Sequence, residues 1–202
     1  MIYLTADHHF GHGNIIDYCD RPFTDAEEMD RAMIEAWNSL VRPDDTVYHL
    51  GDFTLRGINK FTSVVERLNG HTMIVPGGHD WRWIEQAHQE NQLTKPLFHS
   101  GQQHMHNYDV VIHNSLTAMK PPGYKMPDGE HNLFIVLCHY AMRVWDRWHY
   151  GSLHAYGHSH SNLPFQPCSL DVGVDNAKKL LGSYRPFSLD EFIKFATSKS
   201  IK

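Results

Sequence analysis

Ile2-Tyr3-Leu4-Thr5-Ala6-Asp7-His8-His9 is the stretch from which the fold can be read. Ile2 to Ala6 reads as a short strand, and it runs directly into Asp7 and His9, two side chains of metal-ligand type. The same event recurs down the chain. Thr46 to Leu50 reads as a strand and runs into Gly51-Asp52. Thr72 to Val75 reads as a strand that breaks at Pro76-Gly77-Gly78 and leads into His79-Asp80. Leu133 to Tyr140 carries Cys138-His139, and His154 to Tyr156 leads into Gly157-His158-Ser159-His160. In open α/β sheets, sites form in the crevice beyond the carboxyl ends of the strands. Blocks spread from residue 7 to residue 160 can therefore converge. Glycines 51, 77, 78 and 157 let the backbone turn sharply and approach an ion.

Helical patterns lie between these strands. Asp25 to Leu40 places Ala26, Met29, Met33, Ala36, Trp37 and Leu40 at helical spacing, with Thr24 or Asp25 as cap and Glu27 and Glu28 in the first turn. Phe61 to Leu68 is expected to be helical up to Asn69-Gly70, and Trp81 to Glu90 forms another helix. Asp109 to Met119 reads as one strand, separated from Leu133 to Tyr140 by Pro121-Pro122-Gly123 and Pro127-Asp128-Gly129. Leu170 to Val174 is a further short strand. Ser188 to Phe195 is a closing helix, with Ser188 and Glu191 in capping-box spacing. The first half is thus βαβ-like and the second half mostly β. No repeat or interdomain linker divides residues 1–202, which read as a single α/β domain.

Composition narrows the function. Hydrophobic residues make up 41% and charged residues 20%, ordinary values for a soluble globular protein. No apolar run reaches the roughly 20 residues that span a bilayer, and the first residues lack a signal peptide's features, so no membrane partner and a cytoplasmic location are expected. Cys19, Cys138 and Cys168 form no C-x-x-C pair, which fits a reducing compartment. A net charge of −5 argues against indiscriminate binding to duplex nucleic acid. It leaves open a nucleotide or a strand end, because bound metals make a site locally positive. The 17 histidines stand out, but only their positions can give them meaning.

The donor types at the strand ends suit hard or borderline divalent ions. A mixed set of Asp oxygens and His nitrogens fits Mn, Fe, Zn, Co or Ni better than Ca. Asp7-x-His9 and His158-x-His160 are read as extended segments, in which alternate residues point the same way.

The ordered set Asp7-x-His9, Gly51-Asp52, Gly77-Gly78-His79-Asp80, His139 and Gly157-His158-Ser159-His160 resembles the calcineurin-like metallophosphoesterase family, whose pattern is D-x-H, G-D, G-N-H-D/E, a lone His and G-H-x-H. The flanks Phe10-Gly11-His12-Gly13-Asn14-Ile15-Ile16, Arg21-Pro22-Phe23 and His139-Tyr140-Ala141-Met142 look like its small bacterial and phage members. The resemblance implies a four-layer α/β/β/α sandwich of two mixed sheets flanked by helices. It implies two divalent ions, manganese favoured: Asp7, His9 and His160 on the first, His139 and His158 on the second, and Asp52 bridging both. His79 would face the phosphate and protonate the leaving oxygen.

Two positions depart from the pattern. Gly78 stands where the family has an Asn that ligates the second metal. Leu55 in Gly51-Asp52-Phe53-Thr54-Leu55-Arg56-Gly57 stands where the protein-phosphatase branch has an Asp that orients the catalytic His, and Asp80 is a nearby substitute. Arg56, His12, Asn14 and Arg143 are candidates to meet the phosphate ester, although a surface salt bridge is an equal reading for Arg56. His8, Asp171 and Asp175 are expected to be structural, and His104 and His106 solvated. Trp145, Trp148 and Tyr150 either stack a base or form a wall. The function expected is hydrolysis of phosphate esters, as a phosphodiesterase on a nucleotide or nucleic-acid end. The alternatives are a phosphomonoesterase acting on small molecules or proteins, a scaffold impaired by Gly78, and a structural metal protein.

Overall fold

The computed structural model describes residues 1–94, 101–126 and 129–198; Pro127 and Asp128 of the expected turn lie outside them. In chain order the strands are β1 (Ile2–Thr5), β2 (Thr46–His49), β3 (His71–Ile74), β4 (Gln103–His104), β5 (Val110–Ile112), β6 (Leu116–Met119), β7 (Ile135–Cys138), β8 (Leu153–Tyr156), β9 (Ser169–Asp171) and β10 (Phe187–Ser188). The helices are α1 (Asn14–Tyr18), α2 (Ala26–Asn38), α3 (Ile58–Val65), α4 (Trp81–Gln89), α5 (Val174–Leu181) and α6 (Leu189–Ala196). The strands form two mixed sheets flanked by helices, ordered β10-β1-β2-β3-β5-β4 and β6-β7-β8-β9. β1, β2, β3 and β5 run parallel, with β10 and β4 antiparallel at the edges. β7, β8 and β9 also run parallel, and β6 is antiparallel. Among the described residues no helix is long and apolar enough to cross a membrane.

Alternation along β1 places the first sheet between two cores. Leu4 joins Leu50 and Val75 against Ile135, Leu137, Leu153 and Leu170 of the second sheet. Tyr3 points the other way, onto Trp37, Val41 and Val47. On that helical side Met29, Met33 and Ile34 of α2, Phe61 of α3 and Trp83 of α4 pack with Ile74 and Ile112. Each fully buried side chain of this size contributes about 1.5–3 kcal/mol. Asp25 caps α2 by accepting from the Glu28 N–H at 2.8 Å. Ser188 and Glu191 form the expected capping box on α6.

Three readings of the sequence are corrected. α3 begins three residues before Phe61, because Gln86 Oε1 accepts from the Ile58 N–H at 2.9 Å and supplies a cap from a distant helix. Asp109 to Met119 is two strands in different sheets: His113 N–H still bonds Ile74 O at 2.7 Å, and the chain then crosses to the second sheet at Leu116. Leu170 to Val174 is not one strand. β9 stops at Asp171, whose Oδ1 accepts from Gly173 N–H at 2.7 Å, and Val174 opens α5.

Candidate metal centre

The loops that follow the parallel strands of both sheets meet at one end of the seam between them. Their ligand-type residues do not continue the strands. Asp7 (φ 60°), His9 (54°), Asp52 (55°), His158 (66°) and His160 (46°) all adopt the left-handed region. Such a residue costs on the order of 1–3 kcal/mol, and these conformations cluster at functional sites. The expectation that Asp7-x-His9 and His158-x-His160 are extended is therefore wrong. In Asp7-x-His9 the left-handed residues bring both side chains to one trio, and in His158-x-His160 they deliver one side chain to each trio.

Specific hydrogen bonds hold this backbone. The buried Arg21 guanidinium donates to Asp7 O at 2.8 Å and His8 O at 2.9 Å. Asp7 N–H bonds Gly51 O at 3.0 Å, and His9 N–H bonds Asp52 O at 3.1 Å. Asp80 accepts from the N–H groups of Asp52, Phe53 and Gly77 and from Trp83 Nε1, at 2.8–2.9 Å. Its carboxylate is committed to the Asp52 loop and does not take the expected role of orienting His79. Two glycines are required by close approach. A Cβ on Gly51 (φ 89°) would lie 2.3 Å from Gly77 N, and one on Gly157 would lie 2.7 Å from Asp7 Oδ2.

Among the described residues four overlapping donor trios form, and two of them together hold the six expected metal ligands. Asp7, His9 and His160 each present one ligand atom within 4.8 Å of the others, and so do Asp52, His139 and His158. Asp52 Oδ2 lies between them, 3.8 Å from His9 Nε2 and 3.3 Å from His139 Nε2. His79 Nε2 is 3.7 Å from the same oxygen, on a side chain 47% exposed. The tautomers are set from behind. His139 Nδ1 donates to Leu50 O at 2.7 Å, and His160 Nδ1 donates to Asp175 Oδ2 at 2.7 Å. Each ring thus keeps Nε2 free to act as a ligand.

The donor set fits divalent cations. Asp7 Oδ1, both ring nitrogens of His9 and His139 Nε2 are buried without a hydrogen-bond partner, and a bound cation satisfies such atoms. The electrostatics divide the cluster. Burial, with the charge of Asp171, pushes the Asp7 carboxyl up to about 8. Burial opposes protonation of His139 and His160, yet the Asp52 carboxylate beside the first raises it to about 9, and Asp175 raises the second to about 10. Burial also works against ionisation of Asp52, but His139, the His79 N–H and His9 outweigh it and hold its carboxyl below the usual range. His9 is lowered by burial. Asp52 and Asp175 thus favour protons on His139 and His160, whereas burial favours the uncharged forms of Asp7 and His9.

The other expected residues are placed less evenly. His12 joins the cluster: its ring is 5.7 Å from His9, and burial and the charges of His79 and Arg56 lower its pKa. Arg56 is exposed and donates to Gly11 O at 2.8 Å, beside His12, and not to a carboxylate. Asn14 is exposed at the first position of α1. Arg143 is exposed beyond β7, and its carbonyl accepts from Gln166 Nε2 at 3.4 Å; neither residue is drawn into the cluster. His8 is structural as expected, its Nδ1 2.9 Å from His49 Nε2 in the core. Trp145 is buried, with Nε1 bonded to Ser152 O at 3.1 Å, whereas Trp148 and Tyr150 are exposed.

Sequence reasoning missed Arg21. Its bidentate pair with Asp175, at 2.9 and 2.8 Å, links the Asp7 loop to the residue that orients His160. Only the flank Arg21-Pro22-Phe23 signalled it. Cys19, in no C-x-x-C pair, is half-buried. Its thiol lies within 4.8 Å of the ligand atoms of His160 and Asp175.

Comparison with known proteins adds the fold. No family model matches the chain. An uncharacterized protein of Methanocaldococcus jannaschii, MJ1445, is 47% identical over 81 residues, which make up 39% of this chain and 46% of that protein. The chain therefore matches less than half the length of this relative. The crystal structure of AQ665, a protein of unknown function from Aquifex aeolicus, is similar with a TM-score of 0.64 at 22% identity, over 96% of this chain and 98% of that one. That likeness covers both sheets and the helices around them, and it establishes an α/β sandwich of two mixed sheets.

Proposed function

We propose that this protein is a metal-dependent phosphoesterase with a binuclear centre, and that it acts as a phosphodiesterase on a nucleotide or nucleic-acid end. The observation that carries the reading is the pair of donor trios joined by the single carboxylate of Asp52. A purely structural metal site needs one closed set of ligands. Here two sets lie side by side with His79 at the open rim. The resemblance to calcineurin-like metallophosphoesterases supports the same reading.

Asp7, His9 and His160 would hold one divalent ion, His139 and His158 the other, with Asp52 shared; manganese suits the donors. Two ions so held would supply Lewis-acid polarisation of a phosphoryl group and a nucleophile at neutral pH. The chain's own contribution is orientation and proton transfer. Asp80 and Arg21 fix the backbones that aim Asp52 and Asp7. His79, half-exposed and tethered by its N–H to Asp52 Oδ1 at 3.0 Å, protonates the leaving oxygen. His12 and Arg56 line the adjoining rim. Leu55, in place of a second Asp, favours a diester over a monoester.

The test is hydrolysis of paired aryl phosphate mono- and diesters by protein reconstituted with Mn, Fe, Zn, Co or Ni. The expected result is metal-dependent turnover that is faster on the diester and abolished in His79→Ala with both ions retained. Bound ions without turnover on any phosphate ester would leave a metal-binding scaffold, and the reading would fail.

A further inference from the structure

Gly78 is where the chain lacks the side chain its resemblance calls for, and the structure shows what fills the space. Gly78 is exposed and does not have a positive φ, so its backbone places no special demand on glycine. A Cβ built on it would meet one atom within 4 Å, the Tyr140 hydroxyl oxygen at 3.2 Å. That contact is tighter than nine in ten Cβ contacts, so with a side chain at 78 the hydroxyl must give by a few tenths of an ångström. Tyr140 follows His139 at the end of β7. Its ring lies edge-on to His139 and to His158, at 4.8 Å from each, and the residue is 47% exposed. The phenol thus reaches from the second sheet across the open trio of Asp52, His139 and His158, and ends over Gly78 of the first.

We infer that the Tyr140 hydroxyl is a substrate-binding group, donating a hydrogen bond to a non-bridging oxygen of a phosphoryl group held at this trio, and that Gly78 is the space it requires. The inference rests on the phosphoesterase reading above. The chemistry follows from the inventory of the side chain. A phenol carries one O–H donor and can also accept, and a donor to an anionic oxygen makes one of the stronger hydrogen bonds. The ring packing on two imidazoles sets the direction of the hydroxyl, so little side-chain freedom remains to be lost when the anion arrives.

The experiment uses the full chain loaded with manganese and inorganic phosphate as the probe, both followed by calorimetry. Tyr140→Phe keeps the ring and removes the donor. It should bind both ions within about twofold of the wild type and weaken phosphate about tenfold, the scale of one charge-assisted hydrogen bond. Gly78→Ala approaches the same contact from the other side and should weaken phosphate by a smaller factor. In Tyr140→Phe the space is open, so adding Gly78→Asn should return much of the lost affinity through the amide N–H. Phosphate affinity unchanged in Tyr140→Phe overturns the inference while the phosphoesterase reading stands. Loss of an ion in Tyr140→Phe also overturns it, making the phenol a metal ligand. Wild-type protein that binds no manganese overturns both. Melting temperatures of each variant separate these outcomes from misfolding, and Gly78→Ala remains an independent arm.

Discussion

Asp52 sits between the two donor trios, yet they are built differently. Asp7, His9 and His160 are enclosed: Asp7 and His9 are at most 2% exposed, and behind His160 lie Asp175 and then Arg21. Asp52, His139 and His158 open to solvent at His158, whose ring meets only other rings, those of His139 and Tyr140, among the contacts described. An enclosed, oriented site binds its ion with less reorganisation than an open one. On the phosphoesterase reading proposed above, the first trio is thus the anchor, and the second is where substrate and solvent would enter.

The sharpest way to break this comparison is to remove what lies between the trios. Asp52→Asn takes a negative charge from both at once. Turnover should fall roughly a thousandfold, equal to about 4 kcal/mol, and the bound-ion count should drop in elemental analysis. Near-normal turnover with both ions kept would mean that Asp52 does not join the trios.

The next test concerns Arg21. Arg21→Ala leaves Asp175 buried without its bidentate partner and frees the carbonyls of Asp7 and His8. Breaking a buried pair in this way costs about 3–5 kcal/mol, read as a lower urea midpoint. Stability within 1 kcal/mol of wild type, on the order of a surface ion pair, would show that the anchor does not depend on this support. Asp175→Asn is milder. It keeps the shape but weakens the hold on His160 Nδ1, so the tighter ion should loosen about 10–100-fold while the weaker one is unchanged. Equal loosening of both ions would remove the distinction between the trios.

The smallest expected effect lies away from the centre and serves as a control. Arg185, with help from the Ser188 cap, lowers the Glu191 carboxyl to about 2 from its ordinary 4.5. A depressed carboxylate stabilises fully above its unfolded value and loses that contribution as pH falls through its folded value. Wild-type stability should therefore decline between pH 4.5 and 2 more steeply than that of Glu191→Gln. Near neutral pH the variant should be weaker by about 1 kcal/mol, the scale of a helix cap, with both ions bound as before. Parallel pH profiles for the two proteins would rule out this linkage.

The anchor and the open trio were not equally legible in the sequence. The strand ends could be read, because short apolar runs ending in Asp7, Asp52, His79, His139 and His158 carry both the sheet pattern and the donor types. What failed was local backbone geometry. Left-handed Asp7, His9, His158 and His160 are held by distant groups such as Arg21 and Gly51, and no window around them contains those partners. The division of Asp109 to Met119 was hidden because only His113-Asn114-Ser115 lies between two strands of different sheets. α5 was hidden because its start depends on the Asp171 turn rather than on a preceding Ser or Thr. Asp80 looked like a catalytic partner because it adjoins His79, but its oxygens point back to the Asp52 loop. Tyr140 over Gly78 could not be seen at all, since the two residues come from different sheets.

The pairing of β10 with β1 bears on synthesis. Tyr3 and Leu4 are made more than 180 residues before their outer neighbours Ser188 and Phe187. At roughly 5–20 residues per second, β1 waits about ten to forty seconds on the ribosome before its open flank can be covered. During that time its unpaired N–H and C=O groups can template contact with another nascent chain. A transcript that stalls before residue 187 would thus release a protein with the strands leading to Asp7, Asp52 and His79 in place and an adhesive edge beside them.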